Sequence, residues 1–558
     1  MRPRPAPLRR LPLVALLALL AAAALVVFAG RHWTGPAATP ARPAEPVDIV
    51  ESALQRVLQR PDGERRRKRG VAVRPFVPAA SGGSAEIAGG LCDALTLPLV
   101  RIPALRVVPC STTRQPVAAA MDDERLARLL AVSHVIGGSV EALPGERLRL
   151  RLAMQPVSGS PSRGSGASWQ IDEELALADL QSLPQRIAAA TGQALGQSHA
   201  ASATQAPPGL LPPAQYTKYL RAVQLGQRES IDDWRASLAL LDEVLATVPD
   251  HVPSLYVHWT VRGRLGGNRD PNALPLNNQQ MAAEREARRV EGLALAQRAL
   301  AADPDDLRGH WLLVSTAVAE RRWSDALDRL DGILQRHPLL PGYTAVAARI
   351  HLHVGYLERA RALALAALQA NALDAQALEV LALVAGMRGE DALHREVLEL
   401  ARQVGHSGLG YSHVIEASRR ADWTEVAHRL TAWVTWGGKF AADWVPAYAR
   451  GLADPAQRAA AIAALDAKDP ATRRHFASYF VEYALLGAHD RALQAVQFHA
   501  TLSPAVWMQW LWWPELAPMR REPGFVQAMQ RLGVTQVWQQ RGAPELCRQD
   551  TAGRWACD

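Results

Sequence analysis

Turn signals recur at a fixed interval in the C-terminal two-thirds of this 558-residue chain, and this interval constrains the fold more than any other feature. Pro304 and Pro338 each favour the end of a helix, the interval between them is 34, and the same step again reaches a similar turn at Ala372. From Pro249 to Pro304 the interval is 55, and the stretch Gly266 to Gln280 accounts for the excess over one period as an insertion. The composition, 49% hydrophobic but only 6% aromatic, favours helices over strands. The spacing therefore predicts stacked helix pairs.

Small residues repeat with the same period, since the interval from Gly355 to Gly389 is also 34, and they would let paired helices approach closely. This pattern resembles the tetratricopeptide repeat, most strongly over residues 307–372, and it leads us to predict such repeats over residues 213–540. The resemblance implies a solenoid whose groove is lined by the first helix of each repeat. The candidate partner-binding residues on these helices, each of which could instead be an ordinary exposed or packing residue, are Arg308, Trp311, Arg349, Gln376 and Glu379.

Residues 70–200 alternate strand and helix signals and predict a small α/β domain. A β-type run from Val71 to Phe76 is followed by a predicted helix from Ser84 to about Leu99. Asp122 can cap a further helix. The run from Arg147 to Leu152 alternates with a period of two, so one face of the strand is apolar and the other carries three Arg.

Three segments of this domain carry a resemblance to a known family. They are Gly70–Phe76, Ile102–Val108 and His134–Glu141, and they follow one another in order. Together they resemble the TolB-like amino-terminal domain of bacterial signalling and membrane proteins. The resemblance implies a small α/β domain and no catalytic residues. One departure is the segment Ala79–Ser84, which replaces the usual acidic, aromatic-containing segment before the first helix.

The sequence of residues 1–30 predicts that this segment forms a cytoplasmic tip and a transmembrane anchor. Four Arg precede Leu11–Ala29, a run of 19 uncharged residues that is about long enough to span a bilayer. A cleaved signal peptide is the alternative. The arginines place the N-terminus in the cytoplasm and the rest of the chain in the periplasm. Residues 31–69 are predicted to form a Pro-rich linker, a short helix and a solvated basic run.

The four cysteines form two close pairs, and an oxidising compartment would permit both to bond. For Cys92 and Cys110, two unrelated buried thiols are the alternative. The ending of the chain carries a further pattern, with Trp512–Arg520, Pro523–Phe525 and Gly542–Cys547 followed by Cys557. It resembles the ending of bacterial proteins in which a TolB-like domain precedes tetratricopeptide repeats. The resemblance implies a disulfide between Cys547 and Cys557 that pins the tail, residues 541–558.

Charge and motifs indicate neither a nucleic-acid partner nor a catalytic site. Lys plus Arg number 62 against 54 Asp plus Glu, a weak surplus for so long a chain. We find no phosphate-binding loop and no nucleophile elbow, and no cofactor, metal or small-molecule substrate is predicted. A tryptophan cluster is expected to pack in the core rather than bind a sugar or peptide; its members are Trp507, Trp510, Trp512 and Trp513.

The predicted architecture is α+β overall, with an N-terminal transmembrane helix, a small α/β TolB-like domain and a C-terminal all-α tetratricopeptide solenoid. We expect a single-pass protein of the bacterial inner membrane with its C-terminal bulk in the periplasm. The expected function is a non-enzymatic scaffold that binds a protein or peptide partner in the cell envelope. One alternative is a sensory or accessory subunit of a transmembrane signalling or transcription-regulatory system that acts through a partner. An envelope enzyme has only its cleft-forming architecture in its favour.

Overall fold

The structure, a computed structural model, does not describe the predicted anchor at residues 1–30 or most of the linker at 31–69. Among the helices that it does describe, none is both long and apolar enough to cross a bilayer. The described residues are 52–54, 57, 69–78, 84–102, 105–157, 166–196, 210–228, 230–265, 278–337, 340, 342–405, 410–434, 442–467, 479–502 and 508–558.

The α/β part of the chain is a mixed sheet with strand order β3-β1-β4-β5-β6, and β2 pairs with β4. β1 runs parallel to β3 and β4, whereas β4, β5 and β6 are antiparallel neighbours. The strands are β1 (Gly70–Val73), β2 (Val77–Pro78), β3 (Arg106–Val108), β4 (His134–Leu143), β5 (Arg147–Pro156) and β6 (Trp169–Ala176). The helices are α1 (Ser84–Ala94), α2 (Thr96–Val100), α3 (Cys110–Thr113), α4 (Pro116–Ala119), α5 (Asp123–Leu130) and α6 (Leu183–Ala194).

Two local patterns in this part were predicted correctly and one was not. On β5, Leu148 is 1% exposed and Leu150 is fully buried, while the alternating arginines face the other side, where Arg149 pairs with Glu174 of β6 at 2.5 Å. Asp122 caps α5 by accepting from the backbone N–H of Arg125. The helix predicted from Ser84 to about Leu99 is instead divided into α1 and α2. Pro98 has no N–H to donate to the carbonyl four residues back, so one continuous helix is disfavoured there.

The rest of the chain is a succession of packed helix pairs that is consistent with a helical repeat solenoid. Asn278–Gln280, predicted to belong to the insertion, already lie in a helix, and residues 266–277 lie outside the described residues. The helices are α7 (Pro213–Gly226), α8 (Ile231–Thr247), α9 (Val252–Leu265), α10 (Asn278–Ala302), α11 (Leu307–Ala319), α12 (Trp323–Arg336), α13 (Tyr343–His353), α14 (Leu357–Ala370), α15 (Ala375–Met387), α16 (Asp391–Gln403), α17 (Gly410–Arg419), α18 (Trp423–Val434), α19 (Val445–Ala453), α20 (Arg458–Asp466), α21 (Phe480–Leu485), α22 (His489–Leu502), α23 (Ala517–Arg520), α24 (Pro523–Arg531) and α25 (Val534–Arg541).

The turn inside each pair from α11 to α18 contains one residue with positive φ. These residues are Arg321, Gly355, Gly389 and Ala421, with φ between 54° and 94°. The first three follow one another at the interval of the sequence repeat. Gly389 has no other atom within 4 Å of the place where a Cβ would lie, so its role is the left-handed turn rather than the close helix approach that we predicted. The repeat is therefore a repeat of backbone conformation as well as of sequence.

The α/β part packs on the turns between successive pairs. Arg101 pairs with Asp303 at 2.5 Å in the turn before α11. Arg106 donates to the carbonyl of Ala370, the last residue of α14, at 2.7 Å, and the amide of Asn371, which follows it, donates to Thr112 at 2.9 Å. The sheet and the first helices of the array also share one hydrophobic core.

The C-terminal segment, residues 508–558, packs on the turns inside the pairs. The Trp512 and Trp538 indoles donate to the carbonyls of His353 and Val354 at 3.2 and 2.8 Å. The Glu545 carboxylate accepts from the backbone N–H of Leu357, the first residue of α14, at 3.0 Å. The segment ends in a hairpin of β7 (Cys547–Gln549) and β8 (Trp555–Cys557).

Both cysteine pairs lie at disulfide distance. The sulfur atoms of Cys92 and Cys110 are 2.04 Å apart and join α1 to α3. Those of Cys547 and Cys557 are 2.03 Å apart and join the two strands of the terminal hairpin. The second pair therefore holds a hairpin within the segment that covers the intra-pair turns.

Candidate functional site: the first-helix surface

The five candidate residues lie on the first helices of three successive pairs. Arg308 and Trp311 are on α11, Arg349 is on α13, and Gln376 and Glu379 are on α15. The structure brings them together as two groups. One joins α13 to α15, and the other surrounds the start of α11. We call these five residues, together with the tyrosines described below, the first-helix surface.

The first group is an ion pair with an amide beside it. The guanidinium of Arg349 donates to the Glu379 carboxylate at 2.9 Å. The Gln376 amide oxygen accepts from the same guanidinium at 3.1 Å once the amide is oriented to satisfy both of its polar atoms. The Glu379 side chain is only 9% exposed and that of Arg349 is 35% exposed, so the arginine forms the outer part of the pair. Both charges are compensated within the group.

The second group centres on Arg308, which is bound to Asp306 at the start of α11. The Asp306 carboxylate caps the helix through the backbone N–H of Arg308 and Gly309, and it accepts from the Arg308 Nε at 3.1 Å. Burial raises the pKa of Asp306, but the hydrogen bonds and charge of Arg308 outweigh burial and lower it overall. Burial opposes the charge of Arg308, yet the bonds and charge of Asp306 raise its pKa. Both groups are therefore ionised at neutral pH.

Tyrosines complete the second group. Burial raises the pKa of Tyr256 to about 12, and it raises that of Tyr219, while the charge of Arg308 opposes both shifts. Tyr343 donates to the Leu307 carbonyl at 2.6 Å, and its ring meets Trp311 edge to face at 5.9 Å between centroids. All of these aromatic side chains are half-buried.

Sequence reasoning missed these tyrosines, although a signal was present. The chain has only nine Tyr, and Tyr219, Tyr256 and Tyr343 each lie in the first helix of a pair. A search for tyrosines at first-helix positions would have found them. Their meeting around Arg308 depends on packing between α7, α9, α11 and α13.

The chemistry of the first-helix surface suits binding. Its two arginines are paired with carboxylates, and its aromatic rings are half-buried with polar edges. Tyr, Trp and Arg are the residue types most enriched among those that contribute binding energy at polypeptide interfaces. Because the polar groups are already held by one another, ordering them on binding would cost little conformational entropy.

The three described members of the tryptophan cluster near the C-terminal end pack in the core, as predicted. Trp512 is fully buried and Trp513 is 1% exposed, while Trp510 is 8% exposed and stacks on Trp513 at 6.1 Å. Trp507 lies outside the described residues. These rings hold the C-terminal segment against the array.

Comparison with known protein families finds no match for this chain, and comparison with curated proteins finds none either.

Proposed function

We propose that this protein is a membrane-anchored periplasmic scaffold whose tetratricopeptide-type repeats bind a protein or peptide of the cell envelope, without enzymatic activity. In this proposal residues 1–30 anchor the chain in the bacterial inner membrane, and the α/β part is a TolB-like domain. The observation that carries the proposal is that first-helix side chains from three successive pairs form two prepared groups, in which arginines are paired with carboxylates and aromatic rings are half-buried.

Site-specific photo-crosslinking tests the binding surface. A photoreactive amino acid replaces Gln376 on α15, and in a matched control it replaces Arg402, an exposed residue on α16 of the same pair. We expect specific adducts with envelope proteins from position 376 and none from position 402. Position 311 on α11 serves as a second first-helix site. Equal adducts from positions 376 and 402, or no adducts from either position 376 or position 311, would contradict the proposal.

Topology is tested separately. Alkaline phosphatase fused after residue 60 should be active because folding of this reporter requires the periplasm. An inactive fusion accompanied by an active cytoplasmic reporter at the same point would refute the predicted orientation.

A second candidate function is a sensory or accessory subunit that passes a binding signal to a partner. Two observations favour it: the core is continuous between the sheet and the repeats, and Arg106 and Thr112 are hydrogen-bonded to the C-terminal end of α14 and the residue after it. Because of these contacts, movement of the repeats would move β3 and α3. Hydrogen exchange with and without crosslinked partner distinguishes the candidates. Changed exchange in β3 supports signalling, whereas exchange changes confined to the array support a scaffold.

A further inference from the structure

A cleft of about 460 Å³ lies between α11 and α12, away from the first-helix surface. His310 and Leu313 line it from α11. His310 lies two residues after Arg308, and Leu313 lies two residues after Trp311, which places them about 200° around the helix from those two residues. Charged and titratable side chains dominate its lining, namely His310, Arg322, Asp325, Asp328, Arg329 and Arg336.

Most of these charges are compensated by neighbours. Arg322 binds Glu320 at 2.6 Å and also binds Asp325. Asp328 pairs with Arg541 of α25. The part of the cleft lined by Arg322, Asp325 and Asp328 therefore has no surplus of either charge.

The part of the cleft lined by Arg329 and Arg336 has a surplus of positive charge. Arg336 lies 3.7 Å from Asp305, a long and exposed pairing. Arg329 has no carboxylate within ion-pair distance among the residues that the structure describes. Its hydrogen-bond contact there is with His310, whose Nδ1 lies 3.4 Å from the Arg329 Nη1. Within the described ranges, the Arg329 cation thus has no paired anion, and it contacts a titratable ring that lines the same cleft.

The hydrogen bonds of His310 define which nitrogen carries its proton. Its Nε2 lies 3.0 Å from the Pro304 carbonyl oxygen, which can only accept, so Nε2 carries the hydrogen and Nδ1 presents a lone pair to Arg329. Burial lowers the pKa of His310, and the charges of Arg329 and Arg336 lower it further, while the Pro304 carbonyl and Asp305 oppose the shift. The ring is therefore neutral while the cleft is open to water at neutral pH.

We propose that this cleft binds a free tetrahedral oxyanion that bridges Arg329 and His310, with uptake of one proton from solvent at the His310 Nδ1. The anion oxygens accept from the Arg329 guanidinium and from the new Nδ1–H of His310. The anion thereby compensates the charges of both cations, which would otherwise repel each other. Charge-assisted bonds of this kind are roughly twice as strong as neutral ones. Binding and protonation are then coupled, and each favours the other.

Sulfate is the suitable probe because it stays a dianion across the pH range of the test. Isothermal titration of the full-length protein with sulfate, at constant ionic strength maintained with chloride, gives the dissociation constant at pH 5.5 and pH 8. A dianion beside an imidazole raises its pKa by about one unit or more, so binding should be about tenfold tighter at pH 5.5. His310→Gln should bind sulfate equally at both pH values.

Two arginine variants separate a built site from general attraction. Arg329→Met should weaken sulfate binding at pH 5.5 by about tenfold or more. Arg402→Met removes an exposed arginine from its pair with Glu399 on α16 and should leave the affinity unchanged. Circular dichroism shows whether each variant is folded, and the His310 imidazole resonance gives a second readout, since its pKa should rise in sulfate. Equal losses in the two arginine variants, affinity independent of pH in the unmodified protein, or no sulfate binding would each overturn the proposal.

Discussion

Replacing Glu482 with glutamine should remove a large pH dependence from the packing of α17, α19 and α21. Glu482 is 2% exposed, and its Oε1 accepts from the Tyr411 hydroxyl at 2.8 Å. Its Oε2 and the Tyr448 hydroxyl have no hydrogen-bond partner in the part of the chain that the structure describes. Burial raises the pKa of Glu482 to about 7, against the bond from Tyr411. Burial also raises the pKa of Tyr411, Tyr448 and Tyr479, so the facing phenols stay neutral.

The size of the effect follows from the difference between the folded and unfolded pKa of Glu482. The shift from 4.5 to about 7 corresponds to about 3 kcal/mol, at about 1.4 kcal/mol for each pKa unit. Because the folded pKa is the higher one, the protonated carboxyl contributes this stability fully below pH 4.5. The contribution falls as pH rises and is lost above about pH 7. Glutamine keeps an oxygen for Tyr411 and does not titrate, so Glu482→Gln should not show this loss.

Hydrogen–deuterium exchange of peptides from α17, α19 and α21 measures the effect locally, which matters because so long a chain need not unfold in one step. Unmodified protein and Glu482→Gln are compared at the same pH, so intrinsic exchange rates cancel. The protection of the variant relative to the unmodified protein should increase by about 3 kcal/mol between pH 4.5 and pH 8. Parallel pH dependences in the two proteins would refute the reasoning. Glu243→Gln, on α8 at an exposed ion pair with Lys218, should leave these three helices unchanged.

Two further predictions concern turns and the tail. Gly389→Ala should lower the free energy of unfolding by about 1 kcal/mol because of its φ of 71°. Gly355→Ala, at φ 94°, should lower it by about 3 kcal/mol because its Cβ would also lie 2.9 Å from the Trp512 ring. Equal losses of the two variants in urea unfolding would contradict this. Joint replacement of Cys547 and Cys557 by Ser opens a loop with a sequence separation of 10 and should destabilise the C-terminal segment by about 2 to 3 kcal/mol. Reductant should reproduce this loss in the C-terminal segment of a protein whose Cys92 and Cys110 are both replaced by Ser.

Local features of the fold were predictable because each depends on a few neighbouring residues. The alternation in β5 and the cap at Asp122 follow from side chains within one element. The break between α1 and α2 was equally local, since Pro98 alone disfavours a continuous helix, and it should have been predicted. The interval between helix ends was also visible, although its glycines serve the left-handed turns.

The candidate site was predictable only as a set of positions. The repeat frame selects residues on first helices, but it does not indicate which carboxylate each arginine will bind. Arg349 meets Glu379 from 30 positions away, and Tyr343 reaches the Leu307 carbonyl from 36 positions away. Such pairs depend on how successive helices pack, which an interval in the sequence does not specify. The cap that Glu545 supplies to α14 is more distant still, at 188 positions.

Coverage of the turns restricts where a partner can bind the array. Between α11 and α16, the α/β part contacts the turns between pairs, and the C-terminal segment contacts the turns within pairs. A partner that bound either edge would have to displace buried bonds such as that from Trp538 to Val354. Approach along the helix faces requires no such displacement except on α12, where Asp328 and Asp331 pair with Arg541 of the C-terminal segment. The five candidate residues and the cleft beside Arg329 lie on helices of this stretch, so a partner could contact the first while an oxyanion occupies the second.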